Sequence, residues 1–262
     1  MKTFLLSLHS EYYKTRKTLA FWGAIVLPVF LCTVVFIGYY IKADDVMKKL
    51  AKVPPIAIWG QYSFAIVGVM GTLLLPMYLV FMTYSVNNIE HKADTWKSLF
   101  SLPIPKWKIY YSKALYTVLL ITLSMLLFVG LTLAYGYILG WLKPQLTLQN
   151  ADMAKVTSYL AVIYLKMFLA SLGIISIQFL MSLVWKDFLK PMGIGFLLLV
   201  TAMIVLKWEY SYLIPFTHPI KALMSSSGKE VEILTKEVWV SFAYAAVFFT
   251  AGYFIVIKKS VK

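Results

Sequence analysis

A single cysteine in 262 residues rules out an intrachain disulfide, and Cys32, set in an apolar run, reads as a small buried hydrophobe. Acidic residues are scarce, 11 against 25 lysines and arginines, and each stands in a loop or near the end of an apolar run. That scarcity speaks against an ion-coupled secondary transporter, whose coupling sites use carboxylates or broken helices near the middle of the membrane. No Gly-x-x-x-x-Gly-Lys-Ser/Thr loop is present, so the chain does not cradle nucleotide phosphates in that way. The three histidines, His9, His91 and His218, stand in separate segments, with no His-Glu-x-x-His pair and no cysteine cluster to make a zinc site. A membrane enzyme needs convergent carboxylates, histidines, or a nucleophile with its base, and no such constellation is visible. No catalytic residue, metal or resident cofactor is therefore expected. Low-complexity tracts and clear internal repeats are missing as well.

What is abundant is apolar surface. The chain is 61% hydrophobic with mean hydropathy +0.77, whereas a soluble domain has about 45–50% apolar residues. An all-helical polytopic membrane protein follows. The formal charge of +14 is spread over loops between apolar runs, so the expected counter-charge is anionic lipid and not nucleic acid. Crossing a hydrocarbon core of about 30 Å takes about 20 apolar residues as a helix. Six runs qualify or nearly qualify: 20–41, 62–86, 114–142, 159–185, 191–206 and 238–257, the fifth being short.

Residues 1–19 place Phe4, Leu5, Leu8 and Tyr12 at intervals of three and four, followed by Lys14, Arg16 and Lys17, the pattern of an interfacial helix leading into a span. The 20–41 run is too long for a signal-peptide core and lacks a small-residue cleavage site, so it is expected to stay as the first span. Glu11 reads either as a solvated carboxylate paired with Lys14 or Thr15 on the helix surface, or as a group with a special role among basic neighbours. Pro28 and Pro76 permit kinks inside the first and second spans. Gly68, Gly71, Gly136 and Gly140 offer small surfaces for close helix packing. In the fourth run Ser171, Gln178 and Ser182 share one helical face, which either hydrogen-bonds a neighbouring helix or lines a path for cargo. Lys166, the one charge well inside a run, is expected to snorkel to outer water. The 207–237 segment, rich in aromatic residues and proline and ending in a Ser225-Ser226-Ser227-Gly228 tip, reads as a structured element that dips back between spans or as an aromatic belt.

The segment 87–113, NNIEHKADTWKSLFSLPIPKWKIYYSK, is neither a plain span nor a short turn. Asn87 followed by Glu90 reads as a helix start. Ala93, Trp96 and Phe100, with Leu99 alongside, then form an apolar stripe, and Pro103 stops that helix. Pro105 opens the next helix, on which Lys106, Lys108 and Lys113 are expected to face lipid phosphates. As physics alone has it, the stripe meets either lipid or a protein partner.

An acidic residue, Thr95-Trp96-Lys97, Leu99-Phe100-Ser101-Leu102-Pro103, a basic cluster and Lys113 resemble the segment after the second span in ABC-2 type exporter permeases. With the amphipathic N-terminus and six runs, the resemblance covers essentially the whole chain. The most similar branch is the permeases of lantibiotic and bacteriocin immunity exporters. The resemblance implies a coupling helix that meets a cytoplasmic ATPase through Glu90, Ala93, Trp96, Leu99, Phe100 and Leu102. It implies a cytoplasmic gate near Glu11, Lys14 and Arg16. ATP and Mg would sit on the partner ATPase, and the chain would pair with a second copy or a homologous permease. Export of an amphipathic peptide, antibiotic or lipid across a bacterial plasma membrane, with a role in antimicrobial peptide resistance, is the implied function. A non-transporting membrane anchor or sensor is the other reading. Family members often carry Gly where Asp94 stands.

Orientation follows from lysine and arginine. The termini, 87–113 and 186–190 together hold 14 of them, against 10 in the other three loops. The positive-inside rule then places both termini and 87–113 in the cytoplasm.

Overall fold

A computed structural model describes residues 2–50, 53–101, 103–225 and 232–259, and these contain helices and no strand. The helices are α1 (Lys2–Thr15), α2 (Leu19–Ile41), α3 (Ala43–Leu50), α4 (Pro55–Val69), α5 (Leu75–Ala93), α6 (Trp96–Ser101), α7 (Lys106–Leu142), α8 (Met153–Val184), α9 (Leu189–Ile204), α10 (His218–Met224) and α11 (Lys236–Lys259). A π-helical turn, Met70–Leu74, joins α4 to α5 without a break. Five of the resulting rods are long and apolar enough to cross a membrane, and α9, at 16 residues, is shorter.

Helices this apolar form because a chain that leaves water must satisfy every backbone N–H and C=O within itself. Two of them are far longer than a bilayer requires. The α4–α5 rod has 39 residues and α7 has 37, each about 55–58 Å long at the usual rise per residue, so both project well beyond a hydrocarbon core. This alters the sequence-based boundaries. The segment 87–113 is no independent unit: its first part is the end of α5, its last part is the start of α7, and only α6 with its flanking turns lies between.

The helix start expected at Asn87 and Glu90 is not there. Both residues are buried in the interior of α5. Side-chain oxygens that can cap a first turn can equally bond to other helices, and here tertiary partners take them. The break comes later, at Asp94, whose φ of 49° lies in the left-handed region. The amides of Asp94 and Thr95 both return to the Glu90 carbonyl, closing α5, and Leu99 N–H then bonds to the Thr95 carbonyl to begin α6.

Helix α8 is the central post, packed by α5, α10 and α11, while α7 is flanked by α1 and α2. The main apolar core includes Trp59, Tyr62, Phe128 and Tyr164. Gly136 permits close approach of α4 and α7: a Cβ there would lie 2.3 Å from Trp59, whose indole donates to the Leu148 carbonyl. Pro76 is the second residue after the π turn. A proline has no N–H for the carbonyl one turn back, and the widened turn absorbs that defect.

After α9, the described residues up to Ser225 pack against the bundle. Phe216, Thr217 and His218 are buried, Thr217 Oγ1 donates to the Ser211 carbonyl at 2.6 Å, and α10 packs on α8 and α11. Trp208 and Tyr210 remain exposed, so the segment combines a packed element with an aromatic rim. Lys166 does not reach open water: it is buried, and its ammonium donates to Ser225 Oγ at 2.8 Å beside the end of α10. The rest of the expected tip, residues 226–228, lies outside the described residues.

Left-handed backbone at a residue other than glycine costs about 1–2 kcal/mol, less for Asp than for a β-branched side chain. Asp94→Gly is therefore expected to stay within about 1 kcal/mol of wild type, while Asp94→Val loses about 1–2 kcal/mol. Thermal unfolding of the detergent-purified protein checks both.

Candidate functional site

The end of the bundle that holds α1, α6 and the start of α7 contains four charged side chains in contact. Lys113 of α7 is 1% exposed and donates to Glu11 Oε2 at 2.6 Å and to Glu90 Oε2 at 2.7 Å. The other oxygens of the same two carboxylates receive Lys14, at 2.7 Å for Glu11 and 3.1 Å for Glu90. Two carboxylates and two ammonium groups thus close a ring of net charge zero that ties α1 to α5 and α7. Glu11 and Glu90 are 2% and 1% exposed. Isolated buried charges of this kind cost several kcal/mol each, and only close pairing with further hydrogen bonds offsets that cost. Lys113 gains one more acceptor, the Val86 carbonyl at 3.3 Å.

The local sequence explains the convergence. On α1, Phe4, Leu8, Glu11 and Thr15 follow one another at three- and four-residue steps, so they share a face. That face lies along the start of α7: Phe4 stacks on Trp107, Ser7 bonds to Ser112, and the Thr15 and Tyr116 hydroxyls pair. Burial acts to raise the Glu11 pKa, but the ammonium groups of Lys113 and Lys14 overcome it and hold the carboxyl below its ordinary value. Burial acts to lower the Lys14 pKa, and Glu11 and Glu90 overcome it and hold the ammonium above its ordinary value.

A second set of contacts carries α6. Trp96 Nε1 donates to His91 Nδ1 at 3.2 Å, so His91 Nε2 carries the ring proton and donates to the Ser182 carbonyl of α8 at 2.8 Å. The same indole lies against Lys113, whose Nζ is 5.9 Å from the ring centroid, and packs on the cluster of Tyr110, Phe179, Leu183 and Val256. One turn before Glu90 on α5, Asn87 Nδ2 donates to Ser182 Oγ at 2.7 Å.

The sequence-predicted residues therefore separate. Glu11 and Lys14 join Glu90 in the ion ring, so Glu90 belongs to the interior and not to an outward stripe, and Glu11 is no solvated carboxylate. Arg16 stays exposed and lies over the Tyr13 ring at 4.6 Å. Ala93 is exposed and Leu99 half-buried. Trp96 folds inward because its N–H and its face both find partners there. Phe100 lies in α6, but its side chain, like all of Leu102, falls outside the described residues. Ser171, Gln178 and Ser182 are all fully buried. Ser182 bonds to Asn87 of a neighbouring helix, Ser171 bonds within its own helix to the Phe168 carbonyl, and the Gln178 amide has no hydrogen-bond partner among the described residues.

Lys113 is the residue that sequence reasoning placed wrongly, at the lipid phosphates. The available signal was its helical face: Tyr110 and Thr117 lie one turn from it, which is a poor setting for a solvated lysine. Lys108, by contrast, is half-exposed, donates to Thr3 Oγ1 and lies over the Trp107 ring. Among the described residues no group of three potential metal ligands converges.

A bundle of helices long and apolar enough to cross a membrane, cross-linked at one end by a charged ring and carrying a short helix there, is that of an integral membrane protein. Comparison with known families is specific on this point: residues 7–202 match the model for the ABC-2 family transporter protein, and the chain belongs to that family. The match begins within α1 and ends within α9, so all four ring residues fall inside it. Members are the transmembrane subunits of transporters that generally work with cytoplasmic ABC ATPases, and are not themselves catalytic. No curated protein and no solved structure matches the chain.

Removing one partner of a buried ion pair strands the other charge and typically costs about 3–5 kcal/mol. Lys113→Ala is expected to lose that much, and Lys14→Ala, at a lysine 29% exposed, only about 1 kcal/mol. For a carboxylate with a depressed pKa, stability is present above the unfolded value and is lost as pH falls through the folded one. Glu11 therefore withdraws its contribution only below 4.5. Lys14, with a raised pKa, withdraws its contribution only above 10.5. Unfolding of wild type and Glu11→Gln across pH checks this: the gap between them is constant between those limits and closes below the lower one.

Proposed function

We propose that this chain is the permease subunit of an ATP-driven exporter and that α6, with the end of α5, receives the movement of a separate cytoplasmic ATPase. The observation that carries this reading is the wiring of α6. Its Trp96 touches both the Lys113 of the ion ring and the His91 that bonds to α8, so a push on α6 reaches α1, α5, α7 and α8 through contacts already made. Packed interfaces of this kind move as rigid bodies between discrete arrangements. Because Trp96 is spent internally, ATPase contact falls to Ala93, Leu99, Phe100 and Leu102.

In this reading ATP and Mg bind to the ATPase, two permease copies or two homologous permeases form the pathway, and both termini face the cytoplasm of a bacterial cell. The exposed basic residues at the junction of α1 with α2, Arg16 and Lys17, face anionic lipid. The segment after α9 caps the dimer axis on the outside. The resemblance to lantibiotic and bacteriocin immunity permeases supports an amphipathic peptide, antibiotic or lipid as cargo, and hence a role in antimicrobial peptide resistance.

Truncating buried apolar anchors in a helix-in-groove contact costs about 2 kcal/mol or more, roughly thirtyfold in affinity. Leu99→Ala combined with Phe100→Ala is expected to leave the permease monodisperse in detergent while ATPase co-purification falls by about that factor. Undiminished recovery of the ATPase would mean that these side chains rest on lipid.

A further inference from the structure

Gln178 lies on α8's buried face toward the end of that helix, fully excluded from solvent, and neither its Oε1 nor its Nε2 has a hydrogen-bond partner among the described residues. An amide carries two donors and an acceptor, and burying it unpaired among apolar groups is costly. Polar groups below it are better served. Ser182, one turn along, accepts from Asn87 Nδ2 and donates to the Thr83 carbonyl at 3.2 Å, although Asn87 Oδ1 is itself unpartnered among the described residues. The result is a buried polar file on the α5 and α8 faces that begins at Asn87 and ends at Gln178, about 10 Å from the end of α8 at the usual helical rise.

The third wall is α9, and it is close. A Cβ built on Gly195 would stand 2.9 Å from Gln178 Nε2 and 2.7 Å from Val80 Cγ2, so only a glycine lets α9 close over the amide. Helix α9 packs mainly on α5, and much of its other surface is exposed, including Leu189, Phe196, Leu197 and Ile204. It gives only Leu199 and Ala202 to the main buried core, so of the three walls it is the one that can move away with the least loss of packing. On α5, Asn87 of the file precedes Glu90 of the ion ring by a single turn, so displacement of that helix end acts on both.

We propose that the seam between α9 and the α5–α8 pair opens during the transport cycle and that Gln178 binds the polar groups that enter it. The guest chemistry is a paired acceptor and donor, supplied by a peptide amide of the cargo or by accompanying water. The proposal rests on the permease reading above. In the closed seam the amide is unsatisfied, which biases the seam toward opening, and a guest satisfies it.

The test uses the complex with its ATPase in a Cys32→Ser background. Val80→Cys, whose position is 1% exposed in the closed seam, is expected to resist a water-soluble methanethiosulfonate reagent at rest and to react during ATP turnover. Gln178→Leu is expected to cut that turnover-dependent rate about tenfold and to raise the melting temperature of the isolated permease by about 2–4 °C, because an unpaired amide is replaced by an apolar group of similar size. Gln178→Thr separates the two guests, read with a dansyl-labelled cationic amphipathic peptide as the probe. If water is the guest, this variant restores turnover with KM unchanged, and if the peptide is, KM rises. Coupled ATP hydrolysis with an unreactive Val80→Cys would overturn the proposal, and so would a lower melting temperature for Gln178→Leu. Failure of the permease reading looks different: hydrolysis by the ATPase would not respond to the permease at all, and the melting measurement would still decide the role of Gln178.

Discussion

The fold depends on pairing charge where water is scarce. Four ionisable groups from three helices meet within 3.1 Å of one another's oxygens or nitrogens, and three of the four are almost completely buried. Such a ring adds little net stability compared with apolar side chains of the same volume, because desolvation consumes most of the Coulombic gain. What it does provide is geometry. Each carboxylate has two oxygens committed to two different lysines, so α1, α5 and α7 hold one mutual arrangement, and shifting any one of them leaves a charge without its partner.

Helix α5 then becomes the shared lever of the molecule. Its last turns present Glu90 to α1 and α7, Asn87 and His91 to α8, and finally the left-handed Asp94 that hands the chain to α6. Toward its other end the same rod passes through the π turn at Met70–Leu74, where Gly71 lies against Met167 of α8 and Leu223 of α10. In the reading proposed, a push on α6 enters a rigid end, where charge and hydrogen bonds fix the arrangement. It is released farther along, where a widened turn and small residues allow change.

Much of this was legible in the sequence. Apolar runs at membrane length announced an all-helical bundle, the three-and-four spacing in the first residues announced α1, and the short fifth run announced a helix that is indeed short. Gly136 and Gly140 were legible as close-packing positions because only absent side chains let helices approach. The ring was not legible as a whole. Glu11 and Lys14 are neighbours on one helix, but Lys113 lies far along the chain, and no periodicity links residues that meet only through tertiary packing. Asn87 and Glu90 misled for a specific reason: a side-chain oxygen that caps a helix start is the same chemical group that bonds across helices, and only the fold decides which. Spacing alone makes Trp96 an outward anchor, because it does not tell which side of a short helix faces the protein.

The central claim is that the ring transmits movement and does not merely hold the fold, and the two roles separate when the ring is removed as a unit. The variant Glu11→Leu, Lys14→Leu, Glu90→Leu and Lys113→Met replaces every charge with apolar volume, so no charge is stranded and stability is expected at or above that of wild type. The decisive measurement is transport per ATP hydrolysed, in proteoliposomes containing this variant with its ATPase. The account predicts an intact complex that hydrolyses ATP while transport per ATP falls at least about tenfold. Transport per ATP equal to wild type in a folded, ATPase-bound variant would contradict it.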